Sequence, residues 1–204
     1  MKKTLWTKNF TIITLGTVIS AIGGTAMNFA LSFVVFDNTG STLLSALFTA
    51  ASSLPQILLP VLVSPYLDNF RRRPMIFGLD YLSGVIYLLF GWYLLQNSFH
   101  LPLYLIFSVL TSSIGSIYSL AYQSLYPNLI PVGFAQKGYT ISGMIYPTVI
   151  MVMTPVASIL YTQLGLGPIC LGEGILLLLA ATVETGIKVD EQVRKGGRFS
   201  FRDY

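Results

Sequence analysis

Two carboxyl side chains, Asp80 and Glu173, lie within long apolar stretches of the sequence. An ionised side chain at the centre of a bilayer costs about 2.5 to 3.5 kcal/mol, so acids there are candidates for proton transfer or a buried ion pair. For Asp80 we favour an ion pair with the arginines that precede it, and proton transfer is the alternative. For Glu173 we favour a carboxylate that extends to water near the outer surface, and proton uptake is the alternative.

The other reactive side chains do not form a catalytic or metal-binding pattern. The chain has one histidine, His100, and one cysteine, Cys170. No Ser/His, His/Glu or Cys/His arrangement occurs at catalytic spacing, so we expect no enzyme and no catalytic residues. His100 has no nearby ligand partners, so we expect neither a metal site nor a cofactor. Glu184 precedes Lys188 by four residues, the spacing of an ion pair within one helix.

Six apolar segments make up most of the chain and must position these acids. They run over residues 10–36, 43–67, 75–95, 103–125, 140–161 and 169–187. Each is long enough for a helix across the bilayer core, which takes about 20 residues, and the alternating pattern of barrel strands is missing. The sequence therefore predicts an all-α integral membrane protein, with a six-helix domain at 1–187 and a cytoplasmic tail at 188–204.

The charged residues support this topology. They make up 10% of the 204 residues, against about 25% in soluble domains, so we expect the lipid bilayer to surround the protein. All 12 Lys and Arg residues fall on one side once the six segments are threaded back and forth. By the positive-inside rule we expect both termini in the cytoplasm and the chain in the inner or plasma membrane. Topology and anionic lipid account for the positive charge, so nucleic acid is not an expected partner.

The connection between the second and third segments holds one acid and three arginines, Asp68, Arg71, Arg72 and Arg73. It resembles the cytoplasmic loop motif of the major facilitator superfamily, Gly-x-x-x-Asp-Arg-x-Gly-Arg-Arg/Lys. Asp68, Arg72 and Arg73 match this motif, and three of its other positions differ.

Further stretches are similar to motifs of the macrolide-efflux-type branch of drug exporters. Residues 20–23 resemble its Ser-x-x-Gly-Asp, and residues 36–41 resemble its Tyr-Asp-x-Thr-Gly-Ser. Residues 72–80 resemble its Arg-Arg run that ends in an Asp. Residues 154–158 are similar to the antiporter motif Gly-Pro-x-x-Gly-Gly and keep its proline, Pro155.

The resemblance implies an exporter of two six-helix halves, each an inverted three-plus-three repeat, that rock about a central site and are driven by protons. We expect this chain to be the amino-terminal half. Its implied partners are a small drug-like or macrolide-like substrate, protons and a second six-helix half. In the family, Asp68 and its arginines would latch against that second half.

Polar side chains on four segments are our candidates for lining a substrate cavity: Asn28, Gln56, Tyr118, Tyr122 and Tyr146. So few polar groups suit an apolar or amphipathic solute. Tyr118, Tyr122 and Tyr126 recur every fourth residue of the sequence. For Tyr126 we expect packing or anchoring at the membrane interface. Ser108, Ser112 and Ser116 form a small-residue stripe that predicts close helix contact.

Two alternatives to the amino-terminal half stay open. The chain could be a half-size transporter that is active as a homodimer. It could also be a truncated membrane remnant that transports nothing.

Overall fold

The computed structural model describes residues 4–67 and 70–187, with the side chains of 65–67 left out. Asp68 and the tail from Lys188 onward lie outside the described residues, and so do the predicted latch and cytoplasmic tail. The described residues form six α-helices, α1 Lys8–Thr39, α2 Thr42–Leu67, α3 Arg72–Gln96, α4 Leu101–Leu129, α5 Ala135–Leu164 and α6 Leu166–Glu184. Each is long and apolar enough to cross a membrane, which confirms the all-α membrane fold.

Most helices extend beyond the apolar segments that predicted them. α1 continues through the polar residues 37–39, beyond the predicted segment, and is capped by Gly40, whose positive φ of 62° suits glycine. α4 runs to Leu129 and α5 begins at Ala135, so the connection between them is much shorter than the gap between the predicted segments 103–125 and 140–161. Backbone hydrogen bonding continues into the polar interface, whereas hydropathy marks only the lipid-facing part of a helix. α6 is the exception and ends three residues early, at Glu184.

The helix pairs follow an inverted repeat. α3 packs along α6 at the centre, α1 packs against α5 and α6, and α4 packs against α2 and α3. The repeat relates α1 to α4, α2 to α5 and α3 to α6. Under this exchange the α1–α5 pair corresponds to the α4–α2 pair, and the α1–α6 pair corresponds to the α4–α3 pair. The α3–α6 pair maps onto itself. This is the pairing expected of an inverted three-plus-three repeat.

One end of the bundle, which we call the basic end, holds the basic residues of the described helix ends: Lys8, Arg71, Arg72, Arg73 and Lys137. Its opposite, the far end, holds the connections at 40–41, 97–100 and 165. At the far end the Tyr161 hydroxyl donates a hydrogen bond to Asp37 Oδ2 at 2.8 Å, which joins α5 to α1.

Two buried apolar clusters fill the bundle, one toward each end. The far-end cluster includes Met27, Val35 and Phe107. The basic-end cluster includes Phe10 and Leu125. The polar side chains described below lie between these two clusters.

Glycines let α3 and α6 approach closely. A Cβ atom placed on Gly84 would lie 3.1 Å from the Gly174 carbonyl oxygen, and one on Gly174 would lie 3.0 Å from the Gly84 carbonyl oxygen. Gly91 and Gly167 continue this seam, where an added Cβ would meet Leu171 and Leu95. Small residues give membrane helices such van der Waals contact, because lipid supplies no hydrophobic drive between them.

Replacing Gly174 with alanine should destabilise the bundle. The new methyl group would meet the Gly84 carbonyl and Leu88, and such overpacking costs about 1 to 3 kcal/mol. We expect a lower melting temperature in detergent, measured by fluorescence-detected gel filtration after heating. Gly172→Ala is the matched control, since an added Cβ there has nothing within 4 Å. Equal melting temperatures for the two variants would contradict the seam.

Candidate functional site

A cavity of about 360 Å³ lies between the two apolar clusters. Thr17 and Ser20 of α1 contribute to its wall, as do Ser83 of α3 and Leu177 of α6. Side chains of α4 and α5 complete it, so five helices form the cavity. It opens along α4, where the lining residues Gly115, Ser119 and Gln123 are exposed.

Three carboxyl groups are buried in the wall of this cavity or behind it. Asp80 of α3 and Glu173 of α6 line the cavity and are 5% and 4% exposed, and Glu184 of α6 is 1% exposed. Asp80 and Glu173 belong to the wall of the same cavity, so their charges repel each other when both are ionised. One carboxyl oxygen of each residue has no hydrogen-bond partner among the described residues. Buried polar atoms are usually paired, so this cluster calls for a functional explanation.

Glu173 packs against the backbone of α1. Its carboxyl occupies the space that a side chain on Gly23 would fill, and it lies beside Gly24. The expectation that Glu173 extends to water is therefore wrong. α6 begins at Leu166, earlier than predicted, so Glu173 lies about two turns into the helix and points at a neighbouring helix.

Glu184 also faces α1 and α4. The Tyr118 hydroxyl donates a hydrogen bond to Glu184 Oε1 at 3.0 Å, and a Cβ on Gly16 would lie 2.6 Å from the same oxygen. Lys188, its expected partner, lies outside the described residues. Glu184 was not predicted to have a functional role, although it lies eleven positions after Glu173. That spacing, close to three turns, puts both acids on one face of α6.

The loop arginines lie at the basic end. Arg73 Nη2 donates a hydrogen bond to the Thr185 carbonyl at 2.9 Å, just past the end of α6. Cations are favourable at helix C-termini, so this contact ties the start of α3 to the end of α6. Arg71 is exposed, and Arg72 is half-buried at the start of α3. The ion pair between Asp80 and these arginines stays a prediction.

Tyrosines provide the aromatic part of the wall. Tyr87, Tyr118, Tyr122 and Tyr146 all line the cavity. The ring centroids of Tyr118 and Tyr122 lie 6.2 Å apart in a stacked pair. Tyr126 is buried instead, and its hydroxyl donates to the Gly138 carbonyl at 2.8 Å, so it packs as expected.

Three other candidates lie away from this cavity wall. Asn28 is exposed on α1, eleven residues beyond Thr17. Gln56 is exposed on α2, and its amide donates to Ser112 Oγ at 3.4 Å. Pro155 lies within α5 on an exposed face.

The serine stripe of α4 contacts α2, as its spacing predicted. Ser108 Oγ donates to Ser52 Oγ at 2.7 Å. One turn further along, the Gln56 amide donates to Ser112 Oγ.

Six apolar helices around an acidic and aromatic cavity define a multi-pass membrane protein with an internal polar site. A profile of transmembrane secretion effectors matches residues 3–163, and the chain belongs to this family of the major facilitator superfamily. The superfamily consists of transporters rather than enzymes. No curated protein and no solved structure matches the chain.

Gly23→Ala should displace the Glu173 carboxyl, because the new methyl group would occupy its position. We expect faster modification of Glu173 by dicyclohexylcarbodiimide, measured by peptide mass spectrometry. Gly24→Ala is the matched control, since an added Cβ there lies 3.7 Å from Glu173 Oε1, an ordinary contact distance. Equal modification rates in the two variants would show that Gly23 does not hold the carboxyl in place.

Proposed function

We propose that the chain takes part in the proton-coupled export of small apolar or amphipathic compounds, such as drugs of the macrolide type. The acid-lined cavity between the two apolar clusters is the observation that carries this proposal. The family description names secretion, which favours export over uptake. Multidrug resistance by efflux is the corresponding biological role, and the macrolide-efflux motifs support that branch.

The buried acids are the proposed coupling groups. For Asp80 this is the alternative to the ion pair that the sequence favoured, and its place in the cavity wall supports it. Ionising an unpaired carboxyl at this depth costs free energy. Whether the carboxyl binds or releases a proton therefore depends on which ligand occupies the cavity. Asp80 and Glu173 face the cavity directly. Tyr118, which also lines the cavity, donates a hydrogen bond to Glu184 behind the wall. Proton uptake from one side and release to the other would then alternate with substrate binding and release.

A second six-helix body is the proposed partner. α2 and α5 leave large apolar side chains exposed, among them Leu54, Val61, Met144 and Met151. In a rocking transporter such faces meet the opposite half. The partner is either a carboxy-terminal half or a second copy of this chain, and Asp68 with its arginines would contact it at the basic end.

Both termini are proposed to be cytoplasmic, because the basic end carries the Lys and Arg residues of the described helix ends. Alkaline phosphatase, which is active only outside the cytoplasm, should be inactive when fused after Tyr204. The same enzyme fused after Ser41, at the far end, should be active. The reverse pattern in bacterial cells would overturn the orientation.

Export should depend on the buried acids. In everted membrane vesicles energised by respiration, we expect the chain together with its second six-helix body to drive accumulation of a radiolabelled macrolide, and an uncoupler should abolish it. Asp80→Asn should lower the initial rate by about tenfold or more, since it removes a proton-transfer group. Asp37→Asn is the control, because Asp37 is an exposed acid at the far end, and this variant should keep most of the rate.

With the second body present, indistinguishable accumulation with and without an inserted chain would contradict transport by this chain and favour the remnant. Crosslinking in the same membranes separates the two partner options. A crosslinked dimer supports a second copy, and monomer alone removes the homodimer.

A further inference from the structure

We propose that a groove at the basic end binds one anionic phospholipid, whose phosphate pairs with Lys137. The groove lies between the residues that precede α1 and the first turns of α5, and its volume is about 680 Å³. None of its described lining residues belongs to the wall of the acid-lined cavity. The lipid site is therefore separate from the proposed transport site and does not depend on export.

The groove is formed by the segment before α1 and by one face of α5. Leu5 is buried in the basic-end cluster and anchors the segment before α1. The ring of Trp6 packs edge-on against Phe10, with 5.4 Å between the ring centroids, and still lines the groove. α5 contributes residues 136, 137, 140 and 141, whose spacing places them on one face of the helix.

The groove lies at the depth of lipid headgroups. α5 has 30 residues, which gives a length of about 45 Å, whereas the hydrocarbon core of a bilayer is about 30 Å thick. The ends of α5 therefore reach the headgroup region, where the ammonium group of Lys137 avoids the hydrocarbon. Trp6 is 57% exposed, and tryptophan is enriched at this level of membrane proteins. A lipid at the surface of the bundle can thus enter the groove without leaving its leaflet.

The charge of the groove favours an anionic headgroup. Lys137 is exposed, and the described residues that line the groove include no Asp or Glu. The first turn of α5 also lacks an acidic residue. A phosphate group can therefore pair with the ammonium group of Lys137. The ammonium group of an ethanolamine headgroup, in contrast, would find no carboxylate partner and would be repelled by the lysine.

Neutral side chains complete the match to a phospholipid. Thr4 Oγ1 accepts a hydrogen bond from the Trp6 backbone amide at 3.0 Å, so its own hydrogen stays available for a phosphate oxygen. Gln136 is exposed and carries two amide hydrogens that can be donated. Trp6 and Ile141 supply apolar contact for the glycerol backbone and the upper acyl chains. A lipid bound in this way would join the segment before α1 to α5.

Tryptophan quenching in phosphatidylcholine vesicles tests the site. The chain has two tryptophans, and Trp92→Phe leaves Trp6 as the only one. Phosphatidylglycerol with brominated acyl chains should quench Trp6 more strongly than brominated phosphatidylcholine at the same low mole fraction. One lysine near an anionic lipid corresponds to a preference of about fivefold. Equal quenching by the two lipids would overturn the proposal.

Two lysine variants in the same background locate the site. Lys137→Gln should remove the preference for phosphatidylglycerol, because it removes the charge that lines the groove. Lys8→Gln is the matched control, since Lys8 is also exposed at the basic end but does not line the groove. This control should keep the preference. A similar loss in both variants would indicate general attraction to the basic end and would refute the site.

Inorganic phosphate distinguishes a lipid site from a site for the free ion. Adding it at constant ionic strength should leave the quenching unchanged, and recovery of Trp6 fluorescence would overturn the lipid as the occupant. Native mass spectrometry of the unaltered chain needs no variant and should show one phosphatidylglycerol retained in preference to phosphatidylcholine. Equal retention of the two lipids would likewise reject the site.

Discussion

The close approach of α3 to α6 is the constraint on which the rest of the structure depends. Gly84 and Gly174 bring the two backbones together, and this contact places Asp80 of α3 and Glu173 of α6 in the wall of one cavity. α1 then closes over α6 through two further glycines, which leave room for carboxyl groups instead of side chains of their own. The acidic layer exists because small residues surround it.

This arrangement gives α3 and α6 a role in the site as well as in the scaffold. The tyrosines of α4 and α5 cover the acids from the other side, and a tyrosine hydroxyl carries a hydrogen bond from the cavity to Glu184. Every described helix except α2 therefore contributes side chains to the polar layer. Its charge, aromatic content and size are the properties that a transported compound would have to match.

The sequence predicted the six helices and their order, because lipid imposes a length and an apolar composition on every crossing. Helix ends were less predictable, since α1 keeps its hydrogen bonds through polar residues such as Asp37. Asp80 and Glu173 were recognisable as acids in apolar surroundings. The predicted pairing of Glu184 with Lys188 falls outside the described residues, and the hydrogen bond that Glu184 accepts from Tyr118, 66 positions away, was not predicted. Nothing in the sequence alone pairs Gly16 and Gly23 with these acids.

The two apolar clusters have a consequence for the membrane as an electrical barrier. One lies toward each end of the bundle, with the carboxyl groups between them. Apolar clusters on both sides of the carboxyl groups hinder the formation of continuous water chains through the bundle. Protons then cannot be conducted along such chains. The bundle can therefore hold acidic groups deep in the bilayer without a proton leak that would dissipate the membrane potential.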